Sequence, residues 1–194
     1  MAGRAFAISS PPICGFDYDL RMPIRPDTKN WTWVLDRECI ECGFDASAIA
    51  ARDVATLLRA NAAAWPAVLR RDEVATRPDD TTWSALEYGA HVRDACQVFA
   101  VRLALMLEND EPHFDDWDQD ATAVAAAYRE QDPLAVAAGL ATAAETLASA
   151  FDAVPDDAWG RRGLRSDGSA FTVETLAQYF IHDPVHHLHD VTRS

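Results

Sequence analysis

Four long segments with helical periodicity limit the folds open to this chain of 194 residues. In the first, roughly residues 52–71, apolar side chains recur every three or four positions. A capping box at Ser84 opens the second segment. Asp132, followed by a proline, is the expected N-cap of the third segment, and Thr172 is that of the fourth. Each segment can bury its apolar face only against another part of the chain.

Patterns typical of β-strands are almost absent, so the sequence predicts an all-α fold, an up-and-down four-helix bundle. A shorter helix is expected within residues 118–131, and residues 160–170 are expected to form a turn-rich connection with a short hairpin. Pro66 and Pro184 lie inside two of the helical segments and are expected to bend them.

Residues 1–47 are predicted to form an irregular N-terminal arm, and residues 48–194 the bundle. The arm is rich in proline and aromatic residues, and we expect its rings to pack on the bundle. It contains a CxxC knuckle, Cys39 to Cys42. One such pair is half of a zinc ribbon, and Cys14 adds a third cysteine without an evident fourth ligand. Two interpretations of the CxxC pair stay open. It is either a tight turn with two reduced thiols or a pair with a zinc or redox role.

The charge of the chain argues against several classes of partner. Asp and Glu number 31 against 17 Lys and Arg, which gives a formal net charge of −14. Phosphate backbones and anionic lipid surfaces repel such a chain, so neither a nucleic acid nor a membrane is expected as a partner. No apolar run approaches the roughly 20 residues that cross a bilayer. A cytoplasmic protein is therefore predicted.

Four of the six histidines fall within residues 182–189. His182 and His186 are four positions apart, so on a helix both imidazoles project from one face and can reach one metal ion. His91, in the middle of the second helix, is the predicted third ligand. Three neutral imidazoles leave one coordination position open, as in catalytic rather than structural zinc sites.

Other interpretations of these histidines stay open. A lone histidine such as His91 is often a core residue. His182, His186 and His189 also share one helical face, but they span about 10 Å along the helix axis, which is too far for one ion. His187 points about 100° away and, like His189, is interpreted as a neighbour rather than a ligand. The carboxylates that could orient the imidazoles are Asp94, Asp183 and Asp190.

Two motifs carry a resemblance to a known family. The first, W-S-x-x-E-x-x-x-H-x-x-D, surrounds His91, and the second, H-x-x-x-H-H, comprises His182, His186 and His187. Together they resemble the DinB/YfiT-like superfamily over about residues 48–191. The resemblance implies a four-helix bundle with a divalent metal, zinc or nickel, held by His91, His182 and His186. The last helix is also similar to that of the mycothiol-dependent maleylpyruvate isomerase and mycothiol S-transferase group.

The resemblance also implies a function. The first hypothesis is a metal-dependent transferase that joins a low-molecular-weight thiol, with mycothiol as the candidate, to a small electrophilic substrate. Arg161, Arg162 and Arg165 are basic residues that could meet an anionic thiol or substrate. The alternatives are a metal-dependent hydrolase of a small molecule and a non-enzymatic, stress-associated metal-binding bundle. A homodimer is compatible with each of these functions.

Overall fold

The computed structural model describes Ile24 and residues 29–193 of the chain. This part is mostly helical, and the predicted all-α four-helix bundle is confirmed. The helices are α1 (Val54–Val68), α2 (Ala85–Glu108), α3 (Gln119–Ala125), α4 (Pro133–Asp152) and α5 (Val173–Thr192). Short 3-10 helices occupy Trp31–Leu35, Ala46–Ala48, Ala51–Asp53 and Tyr128–Glu130.

The bundle is built from α1, α2, α4 and α5. Helix α4 packs against both α1 and α2, and α5 also packs against both. The order around the bundle is therefore α1, α4, α2, α5, so the consecutive helices α1 and α2 lie across from each other. Large side chains such as Trp65, Leu147 and Phe180 are fully buried between the helices. The facing surfaces of α2 and α5 bring together residues from distant parts of the chain.

Among the described residues, only α4 is long and apolar enough by composition to span a membrane. Leu140, Ala144 and Leu147 are buried on the face by which α4 packs in the bundle. Core helices of soluble proteins pass the same test of length and composition.

The start of α2 is fixed by the predicted capping box. Ser84 Oγ accepts a hydrogen bond from the Glu87 N–H, and the Glu87 carboxylate accepts one of 2.8 Å from the Ser84 N–H. Arg77 donates further hydrogen bonds to the same carboxylate from Nε and Nη2. Because Glu87 is almost fully buried, these bonds compensate a charge removed from water. The network also fixes the position of His91, one turn further along α2.

The variant Glu87→Gln is expected to be less stable at neutral pH and to lose stability less steeply in acid. Burial raises the pKa of Glu87, but hydrogen bonds from Arg77 and Ser84 outweigh it and hold that pKa below its ordinary value. Such a carboxylate stabilises the fold above about pH 4.5, and the contribution is lost as the pH falls through the folded-state pKa. Urea unfolding between pH 3 and pH 7 measures both effects. Glu108→Gln, at an exposed position of α2, is the control, and an identical pH dependence in both variants would contradict the expectation.

Three short strands lie outside the helices: β1 (His113–Phe114), β2 (Arg162–Arg165) and β3 (Ala170–Thr172). Strands β2 and β3 form the predicted hairpin with antiparallel pairing. Strand β1, which the sequence did not predict, pairs in parallel with β2. Gly163 allows β2 to lie close to α2, because a Cβ there would come within 2.8 Å of Met106 and Phe114 side-chain atoms. The hairpin is thereby held against the end of α2.

Helix α5 continues without a break through Pro184. Pro184 is the proline at which a bend was predicted, and the helix passes through it without ending. The Pro184 carbonyl accepts a hydrogen bond of 2.7 Å from Asn61 Nδ2 on α1, and Asn61 Oδ1 accepts one of 3.0 Å from Trp65 Nε1. These buried bonds tie α5 to α1 at the level of the histidines.

The described part of the arm packs on the bundle, as expected. Cys39 and Phe44 are buried in the same hydrophobic core as the helices. Cys14, like the rest of residues 1–23 and 25–28, lies outside the described residues. The division of the chain between residues 47 and 48 stays a prediction.

Candidate metal centre

The histidine-rich segment lies on α5, where two pairs of residues share a four-residue spacing. His182 and His186 form one pair, and Asp183 and His187 form the other. Because successive residues turn by about 100° around a helix, the two pairs project from adjacent faces of α5. Each pair meets different neighbours and contributes to a different cluster of candidate ligands.

The first cluster, which we call the α2–α5 centre, consists of His91, Asp183 and His187. One candidate ligand atom from each residue lies within 4.8 Å of the others. His91 Nε2 is 3.0 Å from Asp183 Oδ2, and His187 Nε2 is 3.6 Å from the same oxygen. His91 is fully buried on α2, whereas the two residues of α5 are half-buried. Two imidazole nitrogens thus converge on one carboxylate oxygen.

The electrostatics of the α2–α5 centre favour a bound positive charge. Burial raises the pKa of Asp183, but the facing imidazoles of His91 and His187 outweigh it and hold that pKa well below its usual range. Burial lowers the pKa of His187, but the carboxylates of Asp183 and Asp190 raise it to about 9. His91 Nδ1 is buried and has no hydrogen-bond partner among the described residues. Asp183 is therefore ionised, and the positive charge that it stabilises is either the proton on His187 or a metal ion that displaces that proton.

Aromatic rings restrict the orientation of both imidazoles at this centre. Trp117 stacks on His91 with ring centroids 5.2 Å apart, and Trp83 lies 5.3 Å from the same ring. Tyr88 lies 4.7 Å from His187. Packed rings limit side-chain rotation, so the imidazole nitrogens are held facing the carboxylate.

The second cluster, which we call the arm cluster, joins Cys39 and Cys42 to His182 and His186 of α5. Its four candidate ligand atoms also lie within 4.8 Å of one another, and Cys39 Sγ is 3.6 Å from His186 Nδ1. Burial lowers the pKa of His182 to about 4 and also lowers the pKa of His186. Both imidazoles are therefore mainly neutral at physiological pH, which is the form that binds metals.

The structure divides the predicted histidine ligands between the two clusters. His182 and His186 lie together, as their spacing predicted, whereas His91 lies with Asp183 and His187. A site shared by His91, His182 and His186 stays a prediction.

Sequence reasoning named Asp183 as a carboxylate that could orient an imidazole, but it did not predict Asp183 and His187 as candidate ligands beside His91. The signal was present, because this pair has the same spacing as His182 and His186. Spacing alone cannot say which of two adjacent faces of α5 meets α2. Two histidines were a more conspicuous ligand pair than one aspartate and one histidine.

Of the carboxylates expected to orient the imidazoles, Asp190 lies between the two clusters. Its Oδ2 is 3.6 Å from His186 Nε2 and 3.6 Å from His187 Nδ1. Asp94 is engaged elsewhere, because it accepts a hydrogen bond of 2.6 Å from Tyr128 Oη. A single carboxylate thus faces one nitrogen of a histidine in each cluster, at a distance slightly longer than a hydrogen bond.

Both clusters border a pocket of about 530 Å³, a volume typical of small-molecule sites. Asp183 and His187 line it from the α2–α5 centre, and His182 and His186 line it from the arm cluster. The other wall residues include aromatic, basic and acidic side chains: Trp31, Phe99, Trp117, Tyr179, Lys29, Arg102, Arg165, Asp116, Asp118, Asp120 and Asp167. The α2–α5 centre therefore opens onto a space large enough for a small organic molecule.

Arg102 and Arg165 give the pocket a buried cationic side. Arg165 pairs with Asp167 at 2.7 Å and with Asp116 at 3.4 Å. Arg102 donates to the Asp115 carbonyl at 2.9 Å and forms no salt bridge with a carboxylate of the described residues. Burial, together with the nearby charge of Arg165, lowers the pKa of Arg102. A bound anion would offset this unfavourable environment.

The donor set of the α2–α5 centre fits a divalent transition metal. Two imidazole nitrogens and one carboxylate oxygen are the protein ligands of one class of catalytic zinc site, which keeps a position open for water or substrate. Nickel also accepts imidazole ligands. Asp183 Oδ1, which has no hydrogen-bond partner among the described residues, and the carboxylate of Asp190 beside the outer nitrogen of His187 agree with a centre built around a cation.

Comparisons with known proteins bear on the family and the fold. The family model described as the DinB superfamily matches residues 55–191. Among solved structures, the chain is similar to YfiT from Bacillus subtilis, described as "a probable metal-dependent hydrolase with an unusual four-helix bundle topology". The two are 19% identical over 74% of this chain and 86% of that chain, with a TM-score of 0.65. No curated protein matches the chain significantly.

Proposed function

We propose that this chain, which belongs to the DinB superfamily, is a metal-dependent enzyme that acts on a small organic anion. The observation that carries the proposal is the convergence of His91, Asp183 and His187 beside a pocket with two buried arginines. Metal ligands without a neighbouring pocket would also fit a site that only stores a metal ion. Ligands that border a pocket of this size fit a site where a substrate meets a metal ion.

His91, Asp183 and His187 would hold the metal, with zinc or nickel as the candidates. When bound, a divalent metal lowers the pKa of a coordinated water or thiol and so supplies a nucleophile near neutral pH. The chain itself orients the ligands, because Trp117 stacks on His91 and Asp190 faces the outer nitrogen of His187.

Arg102 would bind the anionic group of the substrate, and Arg165, whose guanidinium pairs with Asp167, would add positive charge beside it. Both are buried and line the same pocket as the α2–α5 centre. A guanidinium group matches the planar geometry of a carboxylate and forms strong, charge-assisted hydrogen bonds with it. Arg161 instead donates to two backbone carbonyls at the end of α2, and Arg162 is exposed, so neither is assigned this role.

The variant Arg102→Met is expected to bind a small dicarboxylate such as maleate about 10- to 100-fold more weakly. A hydrogen bond to a charged group contributes about 1.5–3 kcal/mol, and methionine removes the charge while keeping an apolar stem beside Phe99 and Phe114. Calorimetric titration of the zinc-loaded protein measures the affinity. Arg162→Met makes the same change at an exposed position and should bind like the wild type. Equal affinities in the two variants would contradict a role for Arg102.

A low-molecular-weight thiol is the first candidate for the nucleophile, as the resemblance to mycothiol-dependent enzymes implies. A metal-bound thiol is held as the thiolate, which is its reactive form. Trp31 and Trp117 in the pocket wall could cover an organic electrophile while the arginines hold its carboxylate. The chain would then be a thiol S-transferase, with mycothiol as the candidate thiol.

Hydrolysis of a small molecule is the second candidate, and the ligand set favours it. Two histidines with one carboxylate are the ligands of zinc enzymes in which a bound water attacks the substrate. This reaction also agrees with the description of YfiT as a probable metal-dependent hydrolase. In both candidates we propose a cytoplasmic protein with a small-molecule substrate, without nucleic-acid or membrane partners, and a homodimer is compatible with either.

Parallel assays on the zinc-loaded protein separate the two reactions. Thiol consumption is followed with a generic electrophile and, in turn, mycothiol, glutathione and bacillithiol. Acid release is followed with carboxylate-bearing esters and amides in the absence of thiol. Metal-dependent thiol consumption supports transfer, and metal-dependent acid release supports hydrolysis. A protein that carries metal at the α2–α5 centre and does neither would contradict the proposal in favour of a non-enzymatic metal-binding bundle.

A further inference from the structure

We propose a second metal site in the arm cluster, where Cys39, Cys42, His182 and His186 hold a structural zinc ion. This site is separate from the α2–α5 centre and does not depend on the proposed enzymatic function. It combines the CxxC turn of the arm and one face of α5 into a set of two sulfurs and two nitrogens.

The arm presents both cysteines from one tight turn. The Gly43 N–H donates to the Cys39 carbonyl at 2.7 Å, and the Cys39 N–H donates to the Phe44 carbonyl at 2.8 Å. Gly43 has a φ of +74°, a left-handed conformation that glycine adopts without strain. Ile40 is 94% exposed within this turn, whereas the two sulfurs lie within 4.8 Å of each other and of the imidazoles.

Helix α5 completes the set with two imidazoles one turn apart. His186 Nδ1 faces Cys39 Sγ at 3.6 Å, while its Nε2 faces Glu41 at 3.4 Å and Asp190 at 3.6 Å. Carboxylates beside one nitrogen favour a proton there and leave the other nitrogen free to bind a metal. His182 is 4% exposed, and its Nε2 has no hydrogen-bond partner among the described residues.

The chemistry and burial of the arm cluster fit structural zinc. Two cysteines and two histidines, with the cysteines in a CxxC motif, form the closed four-coordinate sets of structural zinc sites. A pair of reduced thiols or a disulfide would leave His182 Nε2 buried without a partner among these residues, which is costly for a polar atom. A metal ion bound by all four residues satisfies that nitrogen.

Zinc in the arm cluster would fix one wall of the pocket. Trp31 lines the pocket, and its ring lies 5.6 Å from that of His182 and 5.5 Å from that of His186. Phe44 also packs on His182, with ring centroids 5.3 Å apart. An ion that holds both imidazoles and the CxxC turn would hold the arm, and Trp31 with it, against α5. The site would thus organise the pocket without taking part in the reaction.

Cobalt substitution tests the site in the unmodified protein. The Co²⁺-loaded chain is expected to bind about two ions and to show thiolate-to-cobalt charge-transfer absorption, because only the arm cluster offers sulfur ligands among the two clusters. A cobalt-loaded protein without this absorption would overturn the proposal, whether or not the α2–α5 centre binds metal. A single bound ion with the absorption would support the arm site and count against the α2–α5 centre.

The double variant Cys39→Ala/Cys42→Ala is expected to lose the charge-transfer absorption and about one metal ion per chain. Cys96→Ala makes the same exchange at a buried cysteine outside both clusters and should keep both ions. Retention of both ions by the double variant would overturn the proposal.

If that variant does not fold, alkylation of the wild type decides, because bound zinc should protect Cys39 and Cys42. Equal labelling of these cysteines with and without zinc would also overturn the site.

Discussion

The variant His91→Ala is expected to lose the metal ion of the α2–α5 centre and at least about 100-fold of the metal-dependent activity. Changes to residues that merely orient a ligand already cost about 10- to 100-fold in metal affinity or activity, and removal of a ligand should cost more. His91 is fully buried, with Nε2 3.0 Å from the Asp183 carboxylate. Metal analysis of the purified protein and rates at saturating metal measure the two losses.

Three further variants help to interpret that result. His113→Ala makes the same exchange at an exposed histidine of β1 and should behave like the wild type. His187→Ala removes a second ligand from a half-buried position, and it should lose the same ion as His91→Ala while remaining folded. His182→Ala should lose the arm ion instead. A His91→Ala protein that keeps the wild-type metal content and activity would contradict the assignment of the α2–α5 centre.

The variant Leu147→Ala is expected to lower the free energy of unfolding by about 3–5 kcal/mol. Leu147 is fully buried on α4, which packs against both α1 and α2. Removal of its side chain costs the transfer free energy of the lost carbons and leaves a cavity that the packed helices only partly fill. For a chain of this size the loss corresponds to a decrease in Tm of roughly 6–20 °C.

The same exchange on the outer face of α4 provides the control. Leu134 is 64% exposed, so Leu134→Ala should change the unfolding free energy by less than about 0.5 kcal/mol. Both variants are compared by urea unfolding at one fixed zinc concentration, because bound metal adds to apparent stability. Equal destabilisation of the two variants would contradict the packing of α4 between α1 and α2.

The helices could be predicted from the sequence because their signals are local. Ser84, Asp132 and Thr172 cap α2, α4 and α5 as expected. The order of the helices around the bundle could not be predicted, because it depends on which apolar faces meet, and alanine-rich faces can pack against several partners. Strand β1 was missed because two residues carry no periodicity.

The candidate site was only partly predictable, for a geometric reason. His182 and Asp183 project from adjacent faces of α5, about 100° apart, and the packing of the whole helix decides which face meets His91. The CxxC motif was recognised as half of a zinc site, but its histidine partners lie far along the chain. Cys39 and His186 are 147 positions apart. Local patterns reveal ligand types and spacings, whereas the pairing of distant ligands is set by the fold.

Anomalous X-ray scattering at the zinc edge, from crystals of the zinc-loaded protein, tests the metal centre most directly. The α2–α5 centre predicts a peak bound by His91 Nε2, Asp183 Oδ2 and His187 Nε2, the atoms that already face one another. A separate peak between the cysteines and His182 and His186 would belong to the arm site. Absence of the first peak, or a zinc ion bound jointly by His91, His182 and His186, would contradict the α2–α5 centre.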